Sequence, residues 1–359
     1  MTIQSKYNEL KLKKERTTLI LYLNHNYQFF GSNLKIFGFL TDKSFEELKE
    51  LFNSYSIICK LEGEILQCKW TISEERNVKN LEFFCHLNQE TGVLQIFTFM
   101  PASELYYIDK IIKNTSGMHY LWISPKTLDD IRTKVIDTHP ATIITEFTAK
   151  RFDNIKESCA IRPGFKRNFR YYGEDGRETL QELRNSYGVL PRTIQFKIPQ
   201  IAEFRVSFKG VFTFNQGNLE YIISLIQFTI DKILSTKRVI ESSIYKRIKE
   251  KRKLREVNLE EITPLAIKLS SPLNVTSCHK LIKLINNSND FYSINEAVVE
   301  GSLYFASTIF DRDKNETFKI SSNGDLINIV KDSSTSFASL LKFYQFIVER
   351  LDLDAEISL

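Results

Sequence analysis

Short runs in which apolar and polar residues alternate are each followed by a stretch with apolar residues at helical spacing, and this unit recurs along the whole chain. Residues 33–39 predict a strand, and residues 43–55 a helix with Phe45, Leu48, Leu51 and Phe52 on one face. Residues 81–86 and 93–97 predict a hairpin around the turn at Gln89 to Gly92, followed by a helix over 103–114. Residues 203–208 and 211–214 flank Lys209-Gly210 and lead into a helix from about Asn218, carrying Ile222, Leu225, Ile226, Ile230 and Ile233. Residues 317–320 and 326–329 flank Ser322-Asn323-Gly324-Asp325, whose Asn and Gly tolerate positive φ. The helix after it, over 334–351, carries Phe337, Leu341, Tyr344 and Val348.

The last two copies extend backwards. Before the fourth lie a strand over 265–269, a helix over 278–285, and strands near 297–299 and 303–310, giving the order strand, helix, four strands, long helix. Before the third lie a strand over 142–147, a helix over 178–187 and a strand over 193–198, with an insertion over 152–176 that reads as an irregular loop. A helix over 125–138, punctuated by Pro140, sets a boundary near residue 140. The long helix after Asn218 is expected to run on or restart through 237–255, before Pro264 opens the final repeat. The expected organisation is α+β: an N-terminal domain over 1–140 of two sheet-helix units, a first repeat over 141–262, and a second over 263–359.

The two C-terminal units resemble the tandem repeats of the TATA-box-binding protein fold, with the nearest local likeness at 204–218 and 318–333. That resemblance implies curved antiparallel sheets, each backed by a long helix, and DNA as the ligand. The wedge phenylalanines with which that family kinks DNA are replaced here: aligned on Gly210 and Gly324, one wedge position carries Ser207 and Ser321, so kinking is not implied. Repeats of this type also occur in the toxin subunit of bacterial RNase LS, which the opening Met1-Thr2-Ile3-Gln4-Ser5 faintly resembles. The helical HEPN nuclease domain of that toxin has no counterpart in the sheet-helix pattern at the end of this chain.

Charge sharpens the reading. Among 359 residues, 49 are Lys or Arg and 44 Asp or Glu; residues 237–255 alone hold nine basic and two acidic, leaving the remainder at 40 and 42. A basic helix carrying Lys246, Arg247, Lys249, Lys251, Arg252, Lys253 and Arg255 is therefore a candidate phosphate contact. The loop with Arg162, Lys166, Arg167, Arg170, Tyr171 and Tyr172 alternates cations with aromatics, as a base-stacking platform does. The strand residues Phe204, Phe212, Phe305 and Phe318 are expected in the core.

Several classes fall away. Charges interrupt every apolar run before it reaches a membrane span, and the N-terminus runs into basic residues, not a signal core. The five dispersed cysteines fit reduced thiols in a cytoplasmic setting. No GxxxxGK[ST], GxSxG or GxGxxG run is present, and Cys85-His86 and Cys278-His279 lack zinc spacing, so no cofactor or metal is expected. Gln67 to Lys69 with Glu146 to Lys150 lacks the further acidic residue of a magnesium nuclease. Arg132 and His139 have a HEPN-like gap of a kind common by chance in a chain of this composition. The favoured function is a non-catalytic, DNA-binding transcription-initiation-type factor. The alternatives are an RNA-directed toxin or defence component and a scaffold docking an acidic protein.

Overall fold

A computed structural model describes residues 19–21, 23, 33–74, 77–101, 104–115, 117–151, 168–252, 255–299, 304–332 and 335–358. The described residues form two compact units. The first runs to Lys150 and adds 168–184 and Val189–Ile233; the second holds Arg151, Asn185–Gly188 and the chain from Leu234 onward.

The first unit begins with β1 (Leu34–Thr41) and α1 (Phe45–Ser54). α1 starts at Ser44 because a capping box forms there: the Glu47 amide donates to the Ser44 hydroxyl, and the Ser44 amide donates to the Glu47 carboxylate at 2.7 Å. Strands β2 (Ile57–Glu62), β3 (Ile65–Glu74), β4 (Asn77–Asn88) and β5 (Val93–Thr98) follow as an antiparallel meander. α2 (Leu105–Asn114), β6 (Met118–Tyr120) and α3 (Pro125–Thr138) come next, with Ser124 capping α3 and Pro125 in its first turn. Leu48 and Phe52 of α1 and Ile108, Ile111 and Ile112 of α2 share one core with Phe37, Phe39, Phe83 and Ile96 of the sheet.

The chain continues through β7 (Ile143–Arg151), β8 (Asn168–Tyr172), α4 (Gly176–Tyr187), β9 (Val189–Ile198), β10 (Ala202–Ser207), β11 (Val211–Gly217) and α5 (Leu219–Ser242). These strands join the meander in one sheet of order β2-β3-β4-β5-β1-β11-β10-β9-β7-β8, with β6 also on β1. β1 pairs with β11 from Leu34 opposite Phe214 to Phe37 opposite Val211. The expected boundary near residue 140 is therefore not where the fold divides, because strands before and after it are hydrogen-bonded neighbours. All eight residues of β1 are buried, as a strand covered on both faces requires.

The second unit opens on a separate two-stranded sheet of β12 (Ile244–Arg252) and β13 (Arg255–Thr263). Its main sheet comprises β14 (Leu265–Lys268), β15 (Phe291–Val299), β16 (Tyr304–Asp311), β17 (Glu316–Asn323), β18 (Leu326–Lys331) and β19 (Glu356–Ser358), in the order β15-β16-β17-β18-β14-β19. α6 (Val275–Asn286) follows β14, and α7 (Phe337–Arg350) follows β18. The rings of Phe291, Phe318 and Phe343 meet edge to face, with centroids 5.1–6.4 Å apart. The predicted order of strand, helix, four strands and helix is present here.

The mixed α+β class is as expected, but the two C-terminal segments are not copies of one another. In the second unit β14, the strand before α6, lies beside β18, the strand before α7; in the first, β7 lies beside β9, and β11 takes β1 as its outer neighbour. Only three strands, β9 to β11, follow α4, against four after α6. Phe204, Phe212, Phe305 and Phe318 are buried core residues. No helix among the described residues is long and apolar enough to cross a membrane.

Gly210 and Gly324 occupy matching hairpin turns at φ +72° and +82°, but a Cβ at Gly210 would stand 2.2 Å from the Leu121 carbonyl oxygen, whereas nothing lies within 4 Å of one at Gly324. Gly324→Ala is expected to cost only backbone strain of about 1–2 kcal/mol. Gly210→Ala should lose clearly more in urea unfolding, because backbone must also move. Burial, with a further contribution from Glu356, raises the Tyr344 phenol to about 12, and its hydroxyl donates to the Ala355 carbonyl. Since the folded value exceeds the unfolded one, the associated stability is present below pH 10 and lost as pH rises from about 10 to 12, amounting to roughly 2–3 kcal/mol. Alkaline unfolding of wild type against Tyr344→Phe measures it; the variant should show the shallower loss.

Candidate nucleic-acid interface

The alternation in β7 to β11 sorts side chains onto two faces. Phe147, Ile194, Phe196, Phe204, Val206, Phe212 and Phe214 are buried. Between them stand Glu146, Thr148, Gln195, Glu203, Arg205 and Asn215, all partly exposed. These polar groups form a hydrogen-bonded line across the sheet. Asn33 donates to Asn215 at 2.9 Å, Asn215 and Gln195 donate to Glu203 at 3.2 and 3.0 Å, and Arg205 donates to Gln195 at 3.0 Å. Arg205 also donates to Glu146, whose other oxygen lies 3.6 Å from Arg170. Thr148 and Thr193 share a hydroxyl contact of 2.7 Å beside it.

Two guanidinium groups share the Glu146 carboxylate while amides meet that of Glu203, so with two cations and two anions the line is close to neutral in itself. Such a surface offers fixed donors and acceptors more than net charge, which suits recognition of hydrogen-bonding edges.

Arg170, Tyr171 and Tyr172 lie on β8, a regular edge strand, where an irregular loop was expected. The pairing of 146–150 with 168–172 supplies the reason: five consecutive residues find backbone partners on β7. The three side chains divide. Arg170 is 67% exposed and lies over the Tyr172 ring at 4.7 Å, so both stay on the surface. Tyr171 stacks on buried Phe147 at 4.9 Å and bonds Asp175, which raises its phenol and lowers the Asp175 carboxyl. It is an anchor of the edge strand, not a stacking platform. Arg162, Lys166 and Arg167 lie outside the described residues.

The basic segment also differs from expectation. α5 ends at Ser242, and Lys246, Arg247, Lys249, Lys251 and Arg252 lie on β12, with Arg255 on β13. The expected basic helix is a β-ribbon. Ile244 and Ile248 suit either helical or strand spacing, and pairing with Val257, Leu259, Ile262 and Thr263 decides for the strand. Register sets carboxylate-bearing residues opposite three of the cations: Lys246 faces Glu261, Arg247 faces Glu260 and Lys251 faces Glu256. Lys249 faces Asn258, and Arg252 faces Arg255. Lys253 lies outside the described residues. Positive charge therefore concentrates toward the end of the ribbon where β12 meets β13.

The other candidates are occupied by structural contacts. Arg132 bonds Asp129 at 2.8 Å, and Asp129 also receives Arg184. His139 is the C-cap of α3, its ring 5.2 Å from that of Tyr221 and its buried Nε2 without a hydrogen-bond partner among the described residues. Gln67 bonds Glu82 at 2.6 Å. Among the sheet-face residues, Gln195, Glu203, Arg205 and Asn215 went unselected in the sequence; the alternation Glu203-Phe204-Arg205-Val206 is the signal that holds them.

Residues 126–209, from α3 into the β10–β11 turn, match a protein family described as a family middle domain. The segment contains Glu146, Arg170, Gln195, Glu203 and Arg205. An uncharacterized protein of Archaeoglobus fulgidus is 23% identical over 268 residues, covering 71% of this chain and 70% of that protein.

Removing Arg205 strips Glu146 of its closer partner, so Arg205→Ala is expected to lower stability by about 1–2 kcal/mol. Exposed Arg170→Ala should cost under about 0.5 kcal/mol. Urea unfolding of both single variants and the double variant checks this, and the double should fall short of additivity because both arginines share one carboxylate.

Proposed function

We propose that the protein binds nucleic acid without acting on it chemically, and that the β12–β13 ribbon supplies the phosphate contact. The observation that carries this reading is the run Lys251-Arg252-Lys253-Leu254-Arg255, four cations in five residues, with Arg252 in register with Arg255. Like charges directly opposite each other in a ribbon disfavour its pairing. A polyanion relieves that cost, and counterion release adds to the gain.

Duplex DNA is the favoured form. A two-stranded ribbon fits the major groove of B-form DNA, whereas the deep, narrow major groove of RNA excludes it. Strands of nine residues reach about 30 Å at the usual rise per residue. The carboxylates opposite Lys246, Arg247 and Lys251 reduce the charge available, so the ribbon contributes fewer phosphate contacts than its count of basic residues suggests.

The resemblance to TATA-box-binding repeats finds support in the element order of residues 265–350, and little in residues 141–242, where the strands are arranged differently. A transcription-initiation-type role accordingly rests on the C-terminal repeat. The toxin-like alternative has no comparable support, since Arg132 is engaged with Asp129.

Fluorescence anisotropy against duplex DNA and duplex RNA over rising salt tests the proposal. Binding should weaken steeply with salt, and changing Lys251, Arg252, Lys253 and Arg255 together to Gln should flatten the logarithmic slope by about 1 for each cation that contacts phosphate. Affinity indifferent to salt, or unchanged in the quadruple variant, rejects it; preference for RNA overturns the duplex-DNA assignment. Retention of a stoichiometric acidic protein after nuclease treatment, with no DNA affinity, replaces it with docking.

A further inference from the structure

Cys59 and Cys68 are nine residues apart in sequence and directly opposite each other on neighbouring strands β2 and β3. Their sulfur atoms lie 3.3 Å apart as free thiols. Cys59 is partly exposed on β2, which ends the sheet, whereas Cys68 is fully buried. Cys85, also buried, neighbours Cys68 from the inner side and hydrogen-bonds with it. A thiol on a partly exposed residue beside one on a fully buried residue is the arrangement of an attacking and a resolving thiol.

We propose that Cys59 and Cys68 form a reversible redox modification site that reacts with small disulfides of the glutathione class. Cys59, as its thiolate, attacks one sulfur of the small disulfide. That S–S bond breaks, and its electron pair leaves on the first glutathione thiolate, which takes a proton from water. The resulting mixed disulfide on Cys59 places an electrophilic sulfur beside Cys68. The Cys68 sulfur attacks that of Cys59, the S–S bond of the mixed disulfide breaks, and the second glutathione leaves as a thiolate that takes up the proton Cys68 gives up. Two protein thiols are oxidised and one small disulfide is reduced to two thiols.

The surroundings favour this division of labour. The hydrogen bond from Cys68 and the charge of Lys49 on α1 lower the Cys59 thiol against an opposing effect of burial, while burial holds Cys68 well above the usual thiol range. Thiolate character therefore develops first on Cys59, the less buried of the two residues. Cys278 in the second unit is buried and its thiol is raised by that burial, so it serves as an internal unreactive control. The bridge would fasten the terminal strand β2 to β3, making amide exchange slower at 57–61.

The test is to incubate the purified, reduced full chain with oxidised glutathione, block remaining thiols by alkylation and map the peptides by mass. Wild type should lose the thiols of Cys59 and Cys68 together, keep no glutathione at either, and recover both with dithiothreitol. Cys68→Ser should retain a stable glutathione on Cys59. A lasting glutathione adduct on wild-type Cys59, an unreacted Cys59, or a bridge from Cys68 to Cys85 overturns the proposal. None of these readouts depends on nucleic-acid binding.

Discussion

The larger sheet depends on β1 having partners on both edges. β5 pairs along one edge from Lys35 to Leu40; the other is divided, with β11 taking Leu34 to Phe37 and β6 taking Phe39 to Thr41. Gly38 sits at the change of partner, accepting from the Leu121 amide at 2.9 Å, and a Cβ there would stand 2.0 Å from a Leu121 side-chain carbon. Burial on both faces also constrains Lys35. Its ammonium group donates to the carbonyls of Met100 and Asn33 at 2.7 and 3.1 Å, and burial lowers its pKa. A charge can stay in such a strand only because backbone oxygens meet it.

Much of this architecture was legible in the chain. The amphipathic helices were readable because their apolar faces repeat at a period that strands cannot share, and the hairpins at Gly92, Gly210 and Gly324 carry residues that suit positive φ. β12 carries local signals that point away from a strand. Its lysines, arginines and glutamate favour helices locally, and no Gly, Asn or Pro between Arg252 and Arg255 marks a turn. β8 has little strand signal of its own, because its strand character comes from pairing with β7, some twenty residues earlier in the chain. Sheet order was beyond the pattern altogether, since pairing between residues as distant as Leu34 and Phe214 leaves no local trace.

The candidate site shows a related limit. Residues 237–255 hold nine basic residues against two acidic, but net charge along a chain says nothing about which residues face them across a ladder. Glu256, Glu260 and Glu261 sit beyond or at the end of the run that looked most positive, and the fold brings them back opposite Lys251, Arg247 and Lys246. On the sheet face, by contrast, polar residues that look unremarkable in sequence become a continuous hydrogen-bonded line from Asn33 to Glu146, which the Arg170 ion pair extends, because alternation and register align them.

The two-sided pairing of β1 also determines how the chain can be divided. A fragment starting at residue 141 would keep β9, β10 and β11 but leave the outer edge of β11 bare, with the amides and carbonyls opposite 34–37 facing water. Such an edge is a template for any extended chain that meets it. Separating the C-terminal part at the point where composition and proline suggest a joint would therefore favour self-association over an independently soluble domain.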